Sequence, residues 1–137
     1  MNLPKAYLVN TNKSQNPRNE AEMLEEQKVA AYYSPWKYLI NHIESNDMVY
    51  LYSNGNGIIA RGIGSGIVEK TGEDDLEHYM PLLQFEKLEE PLPPSSILQL
   101  AQGVTDENYR IKWNQTLIHL QGFIGEEIWR YITKNNL

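Results

Sequence analysis

Residues 47–62 read DMVYLYSNGNGIIARG and carry the clearest structural pattern in the chain. Residues 48–52 are apolar and aromatic, as expected of a strand, and the Asn-Gly pair at residues 54–55 suits a tight hairpin turn. The return strand is predicted over residues 58–69. One of its faces is almost bare, because it carries only Ala60, Gly62, Gly64 and Gly66. A bare face predicts that a helix, another backbone or a ligand packs closely against this strand, or that the strand bends sharply as in small barrels.

The segment upstream of this hairpin predicts one strand and two helices. A strand at residues 6–10 is followed by a polar loop at residues 11–19. Asn19 and Glu22 fit a capping box, so a helix is predicted over residues 20–31. The second helix is predicted to begin at Ser34-Pro35 and to place four apolar side chains on one face, namely Trp36, Leu39, Ile40 and Ile43.

The downstream half mixes strands and helices without strict alternation. Strands are predicted at residues 79–89 and 109–120, a short helix at residues 96–102, and a final helix containing Ile128, Trp129 and Ile132. Within residues 109–120, Arg110 and Lys112 are predicted to point to one side of the strand. The fold class is therefore α+β, with a mostly antiparallel, curved sheet.

Length and composition limit the possible classes of protein. The 137 residues predict one domain spanning 1–137, and 22% charged with 41% hydrophobic residues is an ordinary globular composition. The absence of Cys suits a reducing compartment, so we expect a cytoplasmic protein without a membrane span. The net charge of −6 disfavours strong phosphate-driven binding unless the cations gather on one face.

No motif predicts catalysis, a metal or a cofactor. Residues 64–71 approach the P-loop pattern, but Glu69 stands where the second glycine belongs and an acidic turn follows, so nucleotide hydrolysis is rejected. The consecutive acids of residues 73–77 lack EF-hand spacing and fit a solvated turn better than a cation site. The three His residues form no zinc motif, and no nucleophile elbow occurs.

The chain is rich in flat aromatic and carboxamide side chains. It contains nine Tyr and three Trp, and its predicted loops carry several Asn residues. Aromatic faces stack on bases and amides hydrogen-bond to base edges, a combination typical of sites for an unpaired base. For each Trp separately, a place in the hydrophobic core is the favoured interpretation.

The pattern of residues 47–62 resembles the EVE domains of the PUA-like superfamily, which also includes the YTH readers of methylated adenine. The opening strand at residues 7–11, the LQFEKLEEPLP stretch at residues 83–93 and the GEEIWRYI stretch at residues 125–132 agree in order with that family. The resemblance thus spans nearly the whole chain. It implies a curved β-barrel flanked by helices, with a pocket for a modified base extruded from DNA or RNA.

The resemblance also implies which residues form that pocket. Carried over by position, these are Asn10, Thr11, Asn12, Tyr32, Tyr33, Trp36, Tyr52, Ser53 and Asn54. Because residues 26–31 contain no Trp, the stacking surface would come from Tyr32, Tyr33 or Trp36. The flanking phosphates would be held by Lys13, Arg18, Arg110 and Lys112.

Three functions are compatible with these patterns. The first is a non-catalytic reader of a modified nucleobase, whose partner is a DNA or RNA carrying that base. The second is a nucleic-acid-processing enzyme that uses acidic residues such as Asp74 and Asp75. The third is a protein-interaction domain of the same fold, which the net charge of −6 favours more than it favours the first.

Overall fold

The computed structural model describes residues 4–13 and 15–137. Within them the chain forms seven strands, three α-helices and two 3-10 helices. The strands are β1 (Ala6–Asn10), β2 (Lys28–Tyr32), β3 (Met48–Ser53), β4 (Gly57–Gly64), β5 (Glu69–Thr71), β6 (Glu77–Leu92) and β7 (Leu117–Leu120). The α-helices are α1 (Pro17–Glu26), α2 (Pro94–Val104) and α3 (Gly122–Asn135), and the 3-10 helices are Trp36–His42 and Glu73–Asp75.

All seven strands belong to one strongly curled sheet. Its order is β2-β6-β4-β3-β1-β7, with β5 also paired to β6. Strand β1 runs parallel to β3, and the other pairs are antiparallel. The first part of the long strand β6 pairs with β2 and β5, and its remainder pairs with β4, so this strand carries the sheet around its bend. The predicted α+β class and mostly antiparallel, curved sheet are confirmed.

The central strands are buried on both faces. Leu8 and Tyr50 lie in a core that also contains Ile97 of α2 and Ile128 of α3. Their strand neighbours point to the opposite core, which includes residues of α1, β2 and the first 3-10 helix. Because side chains alternate along a strand, α3 and the first 3-10 helix lie on opposite faces of the sheet.

Arg61 and Trp129 hold α3 against the sheet. The Arg61 guanidinium is only 3% exposed and lies 4.1 Å from the centre of the Trp129 ring. Its Nη1 donates to the Trp129 carbonyl at 2.8 Å, and its Nε and Nη2 donate to Glu86 Oε1. The Tyr50 hydroxyl donates to the carbonyl of Gly125. The carboxylate of Glu86 and the Trp129 carbonyl thus accept hydrogen bonds from the buried Arg61 guanidinium, which offsets the cost of removing that charge from water.

The helix predicted over residues 20–31 is wrong in both its start and its end. Asn16 is the N-cap, since its side chain accepts from the Arg18 amide, and Pro17 opens the helix. Gln27 ends it in a left-handed conformation with φ of 56°. The KVAAY segment that follows is β2, whose pairing with β6 outweighs the helix propensity of its alanines.

Two further predicted boundaries need correction. The second helix is a 3-10 helix, and Pro35 rather than Ser34 occupies its N-cap position. The return strand ends at Gly64, after which β5 is a separate three-residue strand. The helix predicted at residues 96–102 and the strand predicted at residues 79–89 are present and extend further at both ends.

The strand predicted over residues 109–120 is mostly wrong. Only Leu117–Leu120 is a strand, because residues 106–115 form turns closed by hydrogen bonds from the Tyr109 amide to Asp106 and from the Gln115 amide to Lys112. The prediction that Arg110 and Lys112 share one side of a strand is therefore wrong.

The prediction that the bare face of β4 packs closely is confirmed. A Cβ added to Gly64 would lie 2.7 Å from the Glu44 carbonyl oxygen, and one added to Gly62 would lie 2.9 Å from Leu82 Cβ. Both contacts fall below the separation that real Cβ atoms show. Close approach of the segment after the first 3-10 helix thus requires glycine at residue 64.

No helix in residues 4–13 and 15–137 is long and apolar enough to cross a membrane.

Candidate functional site

A pocket of about 430 Å³ opens where the ends of β1 and β2 meet the first 3-10 helix. It is lined by Asn10, Asn12, Gln15, Ala30, Ala31, Tyr32, Tyr33, Trp36 and Thr116. Its volume falls within the range of roughly 300 to 1,000 Å³ that is common for small-molecule sites. We call it the first chamber.

The aromatic wall of the first chamber comes from the segment that joins β2 to the 3-10 helix. Tyr32 is the last residue of β2, and Tyr33 follows with φ of 66° and a 59% exposed side chain. The Tyr33 carbonyl accepts from the Lys37 amide at 2.8 Å, which fixes the turn into the helix. Trp36 opens the helix and is 51% exposed, so the interpretation of this Trp as a core residue is wrong.

Asn10 supplies a carboxamide that is held in one orientation. Its Oδ1 accepts from the Asn12 amide at 2.8 Å, and its Nδ2 donates to Asn54 Oδ1 at 3.3 Å. The side-chain carboxamides of Asn12 and Gln15 make no hydrogen bond to any residue that the structure describes. The chamber therefore offers one oriented amide and two that are available to a ligand.

Among the residues that the structure describes, no charged side chain lines the first chamber. Its polar groups are three carboxamides, a threonine hydroxyl, two tyrosine hydroxyls and the indole N–H of Trp36. Such a wall suits a flat, uncharged ligand with hydrogen-bonding edges better than a phosphate, a carboxylate or a cation.

A second chamber of about 410 Å³ adjoins the first. Asn12, Gln15, Tyr32 and Tyr33 line both. The rest of its wall consists of Asn16, Asn19, Gly72, Leu76 and Glu77. Glu77 is the one charged residue in this lining.

Glu77 forms a nearly buried ion pair with Lys28. The Lys28 Nζ lies 2.7 Å from Glu77 Oε2, and it also lies 4.4 Å from the centre of the Tyr79 ring. Desolvation acts to lower the pKa of Lys28, but the hydrogen bond and charge of Glu77 outweigh it, so this pKa is raised. Burial raises the pKa of Tyr32, whose hydroxyl has no hydrogen-bond partner among the described residues.

Four residues expected in the pocket lie outside both linings. Three of them are buried, namely Thr11, Tyr52 and Ser53. The Thr11 hydroxyl donates to Glu20 Oε1 at 2.7 Å, and the Tyr52 ring stacks on the Trp113 ring with their centres 5.2 Å apart. Asn54 touches the site only through Asn10. Five of the expected residues therefore lie together in the site, namely Asn10, Asn12, Tyr32, Tyr33 and Trp36. The other four lie beside the end of β1 without lining a chamber.

The four cations expected to hold phosphates line neither chamber. Lys13 Nζ lies 3.9 Å from Glu20 Oε2, and Arg18 is exposed in the first turn of α1. Arg110 Nη1 donates to the carbonyls of Glu107 and Tyr109, and Lys112 is exposed. All four are exposed, and two of them, Lys13 and Arg110, also contact groups of this chain.

Sequence reasoning missed Gln15, Ala30, Ala31 and Thr116, and it did not connect Glu77 to the site. Ala30 and Ala31 were placed in a helix, although their small side chains at the sheet edge leave room for the chamber. Thr116 enters because its carbonyl accepts from the Asn10 amide at 2.9 Å. No local sequence signal marks that contact.

The acidic loop is tied to the first 3-10 helix. The Lys37 Nζ donates to the carbonyls of Asp74 at 3.3 Å and Asp75 at 2.9 Å. Among the residues that the structure describes, no group of three or more His, Asp or Glu side chains is placed to hold a metal ion.

Comparison with known proteins supports the fold alone. No family model and no curated protein matches the chain. Among solved structures, the chain is similar to the NMR structure of Rpa0253 from Rhodopseudomonas palustris, with a TM-score of 0.53 and 12% identity. The alignment covers 95% of this chain and 91% of that one, so the likeness extends over the whole sheet and its helices.

Proposed function

We propose that this chain is an EVE domain with a PUA-like fold, and that it binds a modified nucleobase extruded from DNA or RNA without catalysing a reaction. The observation that carries the proposal is the first chamber, a pocket of about 430 Å³ walled by exposed aromatic rings and by three carboxamides, two of which make no side-chain hydrogen bond to a described residue. The resemblance of residues 47–62 to the EVE pattern supports it independently.

The energetics of base capture fit this wall. Extruding a base costs a few kcal/mol, and stacking on an aromatic side chain returns about 1 to 3 kcal/mol per base. Trp36 and Tyr33 offer the most exposed ring faces of the lining. The carboxamides of Asn10, Asn12 and Gln15 then hydrogen-bond to the edge of the base and distinguish its substituents.

The charge distribution assigns base and phosphates to different places. An uncharged pocket offers a phosphate no opposite charge to offset the cost of its desolvation, so we expect the sugar-phosphate backbone of the nucleic acid to stay outside the pocket. Lys13, Arg18, Arg110 and Lys112 contact it there. With about four such contacts at most, the salt slope is about −3.6 on a duplex, which is shallower than that of proteins with roughly six to ten contacts, and the selectivity comes from the captured base.

Fluorescence anisotropy with labelled oligonucleotides tests the proposal. One sequence is prepared as DNA and RNA, with N6-methyladenine, with 5-methylcytosine or without modification, and binding is measured at low salt with and without Mg²⁺. We expect about tenfold or greater preference for one modified form, and no cleavage. Cleavage in Mg²⁺ would instead indicate the processing enzyme. Absence of both binding and cleavage would favour the protein-interaction domain.

A further inference from the structure

We propose that the second chamber binds the ribose of the nucleotide next to the extruded base, so that the site selects RNA over DNA. This inference rests on the proposed function of the first chamber. It concerns the polymer that carries the modified base, which the first chamber alone does not distinguish.

The two chambers are close enough to hold consecutive nucleotides. Asn12, Gln15, Tyr32 and Tyr33 belong to both walls, so the cavities share one partition. Tyr33 contributes an exposed aromatic ring to that partition, at 59%. A single strand that passes Tyr33 therefore places one nucleotide on each side, with the ring between them.

The lining of the second chamber favours a ligand rich in hydrogen-bond donors. Glu77 uses Oε2 to accept from Lys28, while its Oε1 accepts no hydrogen bond from a described residue. The side chains of Asn12, Gln15 and Asn19 also make no hydrogen bond within the described residues. The chamber thus presents a carboxylate acceptor surrounded by carboxamides that both donate and accept.

The charge of Glu77 decides which part of a nucleotide enters. Its Oε1 is an acceptor, and an ionised phosphate offers it no donor, whereas a neutral hydroxyl donates to it readily. A carboxylate that accepts from the ribose 2′-hydroxyl is an established way of recognising that sugar. Because the 2′-hydroxyl is the group that separates RNA from DNA, a deoxyribose in this chamber offers no donor to Glu77 Oε1, although Oε2 keeps its bond to Lys28.

The test uses the wild-type protein and an RNA that carries the modification selected by the anisotropy experiment. Its affinity is compared with that of the matching DNA and of RNAs with one 2′-deoxy nucleotide at successive positions. We expect the RNA to bind about tenfold more tightly than the DNA, the size of one charge-assisted hydrogen bond. Most of this difference should arise from a single nucleotide that flanks the modified one.

Equal affinity for modified RNA and modified DNA would overturn this inference and leave the base-reading function standing. A loss confined to the modified nucleotide itself would also overturn it, because the ribose would then lie elsewhere. If neither polymer shows selectivity for a modified base, both proposals fail together.

Two variants sharpen the assignment to the second chamber. The double variant Lys28→Met/Glu77→Gln removes both charges of the buried pair and should reduce the RNA preference several-fold, with folding checked by thermal melting. The control Trp36→Phe alters the first chamber only, and it should weaken RNA and DNA by the same factor. An unchanged RNA preference in the folded double variant would contradict the role of Glu77.

Discussion

Lys28 of β2 and Glu77 of β6 form a diagonal ion pair across the two strands, with Nζ and Oε2 2.7 Å apart and both side chains nearly buried. Glu77 also pairs in register with Tyr32, which belongs to the wall of both chambers. In the described sheet β2 is an edge strand, and β6 is the one strand that pairs with it. The ion pair therefore helps to hold β2, which carries Tyr32, against the rest of the sheet.

Glu77→Ala should lower the free energy of unfolding by about 3 to 5 kcal/mol, because it leaves the Lys28 ammonium buried without its main partner. The double variant Lys28→Met/Glu77→Gln should lose much less, since it leaves no buried charge. Urea denaturation of both variants measures the difference. Equal losses would show that the pair does not act as a unit.

Trp36→Ala should weaken binding of a modified oligonucleotide by about 1 to 3 kcal/mol while leaving the thermal midpoint nearly unchanged. The reason is that a half-exposed ring contributes to stacking more than to the core. Tyr38→Ala is the matched control, because Tyr38 is exposed on the same 3-10 helix but lines neither chamber. Loss of folding in Trp36→Ala would mark Trp36 as a core residue.

Gly64→Ala should destabilise the fold by about 1 to 3 kcal/mol, because the new methyl group would lie 2.7 Å from the Glu44 carbonyl oxygen. Gly103→Ala provides the opposite case. It lies within α2 with no atom near its added Cβ, so it should stabilise the protein by about 0.5 to 1 kcal/mol. Chemical denaturation of the two variants should therefore give changes of opposite sign.

The stability of the fold should fall as pH drops below about 6.5, partly through His78. This side chain is 2% exposed, and burial together with Lys37 and Lys70 lowers its pKa. A lowered folded-state pKa means that the unfolded chain binds the proton first, so stability present above the ordinary pKa is lost as pH decreases. His78→Gln should flatten this slope in denaturation curves between pH 7 and 5.

His42→Gln is the control for that measurement, because His42 is exposed. Its pH profile should match the wild type. A His78→Gln profile that also matches the wild type would show that His78 does not contribute to acid sensitivity.

Reversal of both Arg110 and Lys112 to Glu should weaken modified and unmodified oligonucleotides by similar factors. These two cations lie on exposed turns just before Thr116, which lines the first chamber. Contacts to phosphates carry no base information, so selectivity should stay constant while affinity and its salt slope decrease. Unchanged affinity would remove residues 106–115 from the binding surface.

The hairpin and its close packing were predictable because their signals are local. The Asn-Gly turn depends on the backbone preferences of those two residues alone. Small residues at every second position of β4 predict that some other group packs closely there, without showing which group it is. The resemblance also named Trp36 and Tyr33, which the structure places in the lining of the first chamber; their role in binding stays a prediction.

The failures occurred where distant contacts decide the structure. Residues 28–32 have the alanines of a helix, yet pairing with β6 makes them a strand. The second chamber needs Glu77, which is more than forty positions from Tyr32 and meets it only through that pairing. Periodicity within a short window contains no information about such a register.

The most direct test of the proposed base pocket is an NMR titration that follows the three tryptophan indole N–H signals. Trp36 lines the first chamber, whereas Trp129 is held by Arg61 on the opposite face of the sheet and serves as an internal reference. Adding the preferred modified oligonucleotide should shift the Trp36 indole signal, and the unmodified strand should shift it far less. A Trp36 signal that stays fixed while the oligonucleotide binds would contradict base capture in this pocket.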